Sequence, residues 1–494
     1  MATLGTKSLN LQTVSIPSFP YGVDWSNPPE ALPQGALVEA ENAEYSYSNG
    51  ALKTVDGIEI KYTGSDTIQT GFYDTVHSVH LFNIGTTLYK TDFSTTSSIG
   101  TLNGSSRPHY VIFNNQVIIA SGGIIQAFGV TDGRDATVLQ NVCDADDTSI
   151  TGPTADALGV KDGRLFVYSH SSDLIKFSAY GDETSWVEQS TVATGPYWVY
   201  IGKNDGYINQ VSMASKDLII YKDSGVVYRL TGWIAATSAD APTINEVTRT
   251  GHCYTNCATS IATKGYFFGI DGFLSVVTTQ EYGDMKPTEE GININAAIIP
   301  NIDSNAKMFH VASRKQIWIA TQNDKRVYMY HYSPRYPDGR GAFTTRTLKY
   351  QISDVWENGD KVYVAYGDYI GQLSSTIDTD AGKQIKMSVK GPINYPNNSN
   401  FLVKRRRMTA KGSVAGTGTL LIGDTSIAFT ISDASPLVFG NTTLVYGNTD
   451  LVYSNSQTVI SEKGGGLSES IQLSIVTNSG SMEIRQISYN YEDQ

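Results

Sequence analysis

The sequence predicts an all-β protein: a six- or seven-bladed β-propeller followed by a C-terminal β-sandwich-like domain. Three observations carry that expectation. Amphipathic helical periodicity is nearly absent from the 494 residues. A turn–strand–turn–strand pattern recurs seven times at even spacing. After about residue 380 the texture changes to separate alternating segments of a different kind.

Composition fits many short strands joined by tight turns. Hydrophobic residues make up 40%, charged residues only 17%, and Gly (46) and Tyr (30) are plentiful; an ordinary domain carries about 25% charged residues. The 36 basic and 48 acidic residues leave a net charge of −12, which disfavours tight binding to duplex nucleic acid, since DNA-binding domains usually carry a basic face. No run of 18 apolar residues occurs, so no membrane span is expected. The opening MATLGTKSLNLQTVSIPSFPYG lacks the basic start and apolar core of a secretory signal. Cys143, Cys253 and Cys257 are sparse and odd in number. No disulfide framework is expected, and assembly in a reducing cytosol fits.

Residues 1–60 read as an N-terminal arm with the first propeller strands, and 61–380 as the propeller. The hairpins are HSVHLFNIGTTLYKTD (77–92), NNQVIIASGGIIQAFGV (114–130), KDGRLFVYSHSSDLIKFSA (161–179), SKDLIIYKDSGVVYRLTG (215–232), TKGYFFGIDGFLSVVTT (263–279), SRKQIWIATQNDKRVYMYHYS (313–333) and NGDKVYVAYGDYIGQL (358–373). Alternation and turn residues mark each as a hairpin. They start 37, 47, 54, 48, 50 and 45 residues apart, near the roughly 40 to 50 of a four-stranded blade. A single hairpin cannot bury its apolar face, whereas a ring of blades can. Consecutive β-sandwiches would also space strands evenly and stand as the alternative. Residues 381–494 read as a C-terminal sandwich. Within it, LVFGNTT, LVYGNTD and LVYSNSQ form a seven-residue repeat over 437–457, expected to make an exposed, ordered β-element.

Three segments together resemble the tail hub proteins of short-tailed bacteriophages, also called nozzle or packaged-DNA stabilization proteins. They are ALVEAENAEYSYSNGALKTVDGI (36–58), DLIKFSAYGDETSWVEQS (173–190) with DLIIYKDSGVVYRLTG (217–232), and RTGHCYTNCATSIATKGYFFGIDGFLSVVTT (249–279). The resemblance runs in order over residues 30 to 370, and order and spacing carry it. Thr54-Val55-Asp56-Gly57 stands where an Arg-Pro-Gly would be familiar, and the 437–457 repeat has no counterpart. The resemblance implies a structural virion protein and no enzyme. It implies a homo-oligomeric, hexameric ring below the portal and its adaptor ring, assembled in the host cytoplasm. Tail fibres, spikes or a needle would attach to it. Packaged DNA would be retained by the ring and pass through it without sequence readout.

The residues offer little catalytic chemistry, and no cofactor is expected. His252, Cys253 and Cys257 form the best metal candidate, but zinc needs about four ligands and no second Cys/His pair exists; a buried turn is the plainer reading. Asp182 and Glu183 are adjacent, so on a strand they would face opposite ways, unlike a glycosidase pair. Asp144, Asp146 and Asp147 read as a solvated loop or a loose cation site. His77 and His80 are not spaced for one strand face. Neither a Walker loop nor a Gly-x-Ser-x-Gly elbow occurs.

Lys404, Arg405, Arg406 and Arg407 form the one basic run. They are expected at an inter-subunit contact, where Arg forks suit carboxylates, with phosphate contact as the alternative. The channel is then expected to be acidic or neutral, because a basic wall would trap DNA. The competing functions are a carbohydrate-binding or depolymerising phage tail protein and an extracellular propeller lectin. The scattered Trp residues and the missing secretory signal speak against them.

Overall fold

The computed structural model describes residues 12–493 apart from 17–18, 47, 144–148, 150, 190, 233, 235–241, 250–251, 279–284, 302, 322–324, 334–335, 396–400, 424, 432–457, 464–466 and 469. The 437–457 repeat and the Asp144–Asp147 stretch lie outside the described residues. Among the described residues, 57% are strand and 3% helix.

Each hairpin read from the sequence is the middle pair of four neighbouring antiparallel strands, which form a sheet of their own in the first five cases and part of a larger sheet in the last two. Blades I to V span Ile68–Thr101, His109–Asn141, Ala157–Tyr200, Ile208–Thr248 and Ala258–Glu289. Blade VI spans Lys307–Thr347. Blade VII takes three strands from Ile352–Ser374, and Gly57–Thr63 adds the fourth, antiparallel, from Ser374↔Gly57 to Tyr369↔Thr63. The last blade is thus completed by the beginning of the chain.

Middle strands are buried on both faces, so successive side chains serve opposite neighbours. In blade II, Val117 and Ile119 pack on Leu81 and Leu88 of blade I. Ile118 and Ala120 pack instead on Leu165 and Val167 of blade III. Blade IV repeats the arrangement, with Leu218 and Ile220 on blade III and Ile219 and Tyr221 on blade V. Ile68 and Phe82 of blade I meet Trp356 and Tyr363 of blade VII, which closes the ring. At that seam Gly71 is required: an added Cβ would lie 2.2 Å from the Trp356 ring. The first strands of blades IV, V, VI, VII and I touch in succession, as do those of blades II and III, which puts them around the central axis.

The C-terminal part is a two-sheet sandwich. One sheet holds Phe401–Val414 between Thr458–Lys463 and Ser481–Asp493. The other orders Glu39–Glu41, Ser388–Asn394, Ile471–Thr477, Gly416–Ile422 and Thr425–Ile431. Leu37, Leu52, Val389, Met408, Ile475 and Ile487 lie in the core between them.

The N-terminal strands correct the division read from the sequence. Gln12–Ile16, Glu39–Glu41, Ala43–Tyr45 and Leu52–Thr54 belong to the sandwich, Gly22–Val23 pairs in parallel with blade VI at Phe343, and Gly57–Thr63 is the one that completes a blade. Strands of two to five residues carry too little alternation to reveal a partner more than 300 residues away. The sandwich is also continuous with blade VI, where Glu41 pairs in parallel with Thr345. Asn42 fastens the joint. Its N–H donates to the Thr345 carbonyl (2.7 Å), its Nδ2 donates to the Lys386 carbonyl (2.9 Å), and its Oδ1 accepts from the Thr347 N–H (2.9 Å).

Candidate functional site

The basic run lies on the long strand Phe401–Val414, paired on both sides. Strand alternation divides it. Arg406 is 1% exposed on the same face as Met408, whereas Arg405 and Arg407 are exposed on the opposite face. A register shift falls between Val403 and Arg405; the Lys404 side chain lies outside the described residues. The run therefore presents no four-residue basic face. Arg406 is withdrawn from the contact expected of it, because its side chain is enclosed by its own sandwich. Arg405 and Arg407 are left available to a partner, opposite Lys463 and Ser461 on one neighbouring strand and Asn490 and Ser488 on the other.

The other candidates have local structural partners. Cys253 and Cys257 are buried free thiols between blades IV, V and VI. Burial raises both thiols well above their usual range, which suppresses the thiolate that a metal needs. The Cys257 thiol donates to the Ala306 carbonyl (3.1 Å). Gly269 explains the glycine in this region: an added Cβ would sit 1.3 Å from the His252 carbonyl oxygen, a backbone atom that cannot step aside. Cys143 is buried elsewhere, bridging Thr151.

Asp182 accepts from the Thr184 N–H (2.8 Å) and hydroxyl (2.7 Å), closing its own turn. Glu183 reaches across a blade boundary to accept from Asn114 Nδ2 (2.6 Å) and from Gln116. His77 contacts the buried Asp74 (2.5 Å). His80 accepts from the Trp356 indole (3.0 Å), and burial pulls it down to about 4, so it is neutral at physiological pH.

Two polar constellations were not legible as groups in the sequence. The first joins the sandwich to blade VI. Lys53 Nζ lies 2.8 Å from both Glu44 and Asp56. Arg314 bridges the same carboxylates at 2.9 and 2.5 Å, and Gln316 donates to Glu44 at 3.0 Å. Two cations and two anions balance, so the cluster is a neutral bolt. The second lies at one end of the propeller axis, where the starts of the inner strands converge. A mouth of about 600 Å³ there is lined by Arg107, Asn256, Lys307 and Gln351, among others, from four different blade entrances. Arg107 and Lys307 stand 200 residues apart in sequence, and no motif joins them.

No family model matches the chain, and no curated protein matches it. Among solved structures, it is similar to BamB from Moraxella catarrhalis (14% identity, TM-score 0.39, covering 67% of this chain and 95% of that one). It is similar to the WD40 repeats of RRP9 (9% identity, TM-score 0.44, 65% and 99%). It is also similar to the β-propeller domain of Cps50 (Swd1) from Myceliophteria thermophila (10% identity, TM-score 0.41, 64% and 99%). Likeness this distant speaks to neither activity nor partner. The sheet topology itself identifies the propeller.

Proposed function

We propose that this chain is a structural subunit of a short-tailed bacteriophage tail hub, a ring that retains packaged DNA and conducts it during ejection. The ordered sequence resemblance over residues 30 to 370 carries this reading. Its segments fall on the joint between sandwich and propeller (36–58), on blades III and IV (173–190 and 217–232), and on the turn into blade V with its middle pair (249–279). Short buried strands and close-packed turns there are the scaffold of the fold, so the resemblance concerns architecture and not a reaction centre. Asp182, Glu183 and Cys257 add support, since each is engaged in holding a turn or a blade seam.

In this reading the exposed Arg405 and Arg407 meet carboxylates of a neighbouring subunit, where bidentate pairing favours arginine. Six-fold closure would leave an acidic assembly, and this reading expects its channel to be lined by acidic or neutral groups. Native mass spectrometry of the purified chain, or of a reconstituted tail, tests the proposal. The expected result is a closed ring of about six subunits that weakens when Arg405 and Arg407 are both changed to Glu. A chain that stays monomeric with portal and adaptor present would overturn it.

A further inference from the structure

We propose that the axial mouth of the propeller is a phosphate-binding site, in which Lys307 and Arg107 receive a small phosphate-bearing ligand. The site is concave, at about 600 Å³, within the roughly 300–1,000 Å³ of small-molecule pockets. Neutral donors line it alongside the two cations: Ser105, Thr255, Asn256 and Ser304.

The cations differ in how they are held. Arg107 donates through NH2 to Asp354 (2.7 Å) and through NH1 to the Ser353 carbonyl (2.8 Å). Asp354 is itself 7% exposed and accepts from the Gly71 N–H (2.9 Å), so the guanidinium is fixed in place. Lys307 has no such partner: its ammonium forms no ion pair or hydrogen bond among the described residues. Burial and the neighbouring Arg107 charge lower it to about 8, against a weaker opposing pull from Asp354. His109 nearby is held down to about 3 by burial, with Arg107 and His170 adding to the effect. It is uncharged at neutral pH and adds no cation.

A half-buried lysine facing an arginine with no carboxylate of its own is unfavourable in the empty protein. In a chain of net charge −12 a pairing acid would be easy to supply. An arriving anion relieves exactly that repulsion. Phosphate suits the donors better than carboxylate does. The Arg107 fork is already engaged by Asp354, so bidentate carboxylate recognition is spoilt. A point-charge ammonium with hydroxyl and amide donors from several directions matches a tetrahedral oxyanion.

Titration calorimetry with inorganic phosphate, ribose 5-phosphate and a thymidine oligonucleotide lacking terminal phosphate tests the site. Wild-type protein should bind both small phosphates and bind the oligonucleotide no better. Lys307→Met should weaken phosphate binding about tenfold or more, as expected for one lost charge-assisted hydrogen bond, while Lys307→Arg should keep most of it. Lys307→Met should also raise the unfolding temperature at pH 7. The folded value near 8 lies below the unfolded value of about 10.4, so the charge opposes folding there, and the gain should vanish above about pH 10. Phosphate binding unchanged in Lys307→Met, no phosphate binding up to about 10 mM, binding of the oligonucleotide alone, or a loss of stability in Lys307→Met would each overturn the proposal.

Discussion

At the scale of single residues, Glu44 shows how the sandwich is tied to the ring. Its carboxylate is 1% exposed. Burial alone would push its proton affinity up, but Lys53 and Arg314 overcome that and hold it well below the usual carboxylate range. A carboxylate lowered in the folded state contributes stability above its unfolded value of about 4.3, and that contribution is lost as pH falls below it. Urea unfolding should therefore show stability declining from about pH 5 downward, with a shallower decline in Glu44→Gln. At pH 7 the same substitution should cost about 3–5 kcal/mol, because Lys53 and Arg314 would be left with one carboxylate between them. A change below about 1 kcal/mol would place the cluster among weak surface pairs.

At the scale of elements, the decisive strand is Gly57–Thr63. It is the fourth strand of blade VII, with Thr379–Asp380 pairing beyond it, and Ile58 within it is 2% exposed in the core shared by blades VI and VII. Without it, the strand Tyr369–Ser374 loses its partner on that side, and an apolar edge is bared. A chain of residues 55–386 keeps the closing strand, whereas 65–386 does not. The longer chain should unfold at a clearly higher urea midpoint, and the shorter one should aggregate or be cut by protease within blade VII. Equal midpoints and equal protease resistance would show that the closing strand contributes nothing. The boundary at 60 read from the sequence cuts through this strand.

At the scale of the whole molecule, propeller and sandwich are one hydrogen-bonded object. The second sandwich sheet continues blade VI through Glu41 and Thr345, and the Glu44 cluster and Asn42 bridge the same junction. Calorimetric unfolding of the full chain should give a single transition, with the sandwich and the ring losing structure together. Two well-separated transitions would mean that the joint couples them weakly. A stiff joint also suits the proposed ring, since a subunit that must not hinge can hold a channel of fixed width. Among the described residues no helix is long and apolar enough to cross a membrane.

The sequence by itself determined the strand content, the seven middle hairpins and the separate texture of the C-terminal region. Those features are local: alternation has a period of two, and turns take their residues from a short list. Tertiary structure decided what depends on partners far along the chain. It sent the strands Gln12–Ile16, Glu39–Glu41, Ala43–Tyr45 and Leu52–Thr54 to the sandwich, gave blade VII its fourth strand from the N-terminus, and split a run that reads as one basic patch into buried Arg406 and exposed Arg405 and Arg407. It also brought Arg107 to Lys307. In a propeller the inner strands start near one axis however far apart they lie in sequence, so charges gather there by ring closure, which leaves no spacing in the sequence to read.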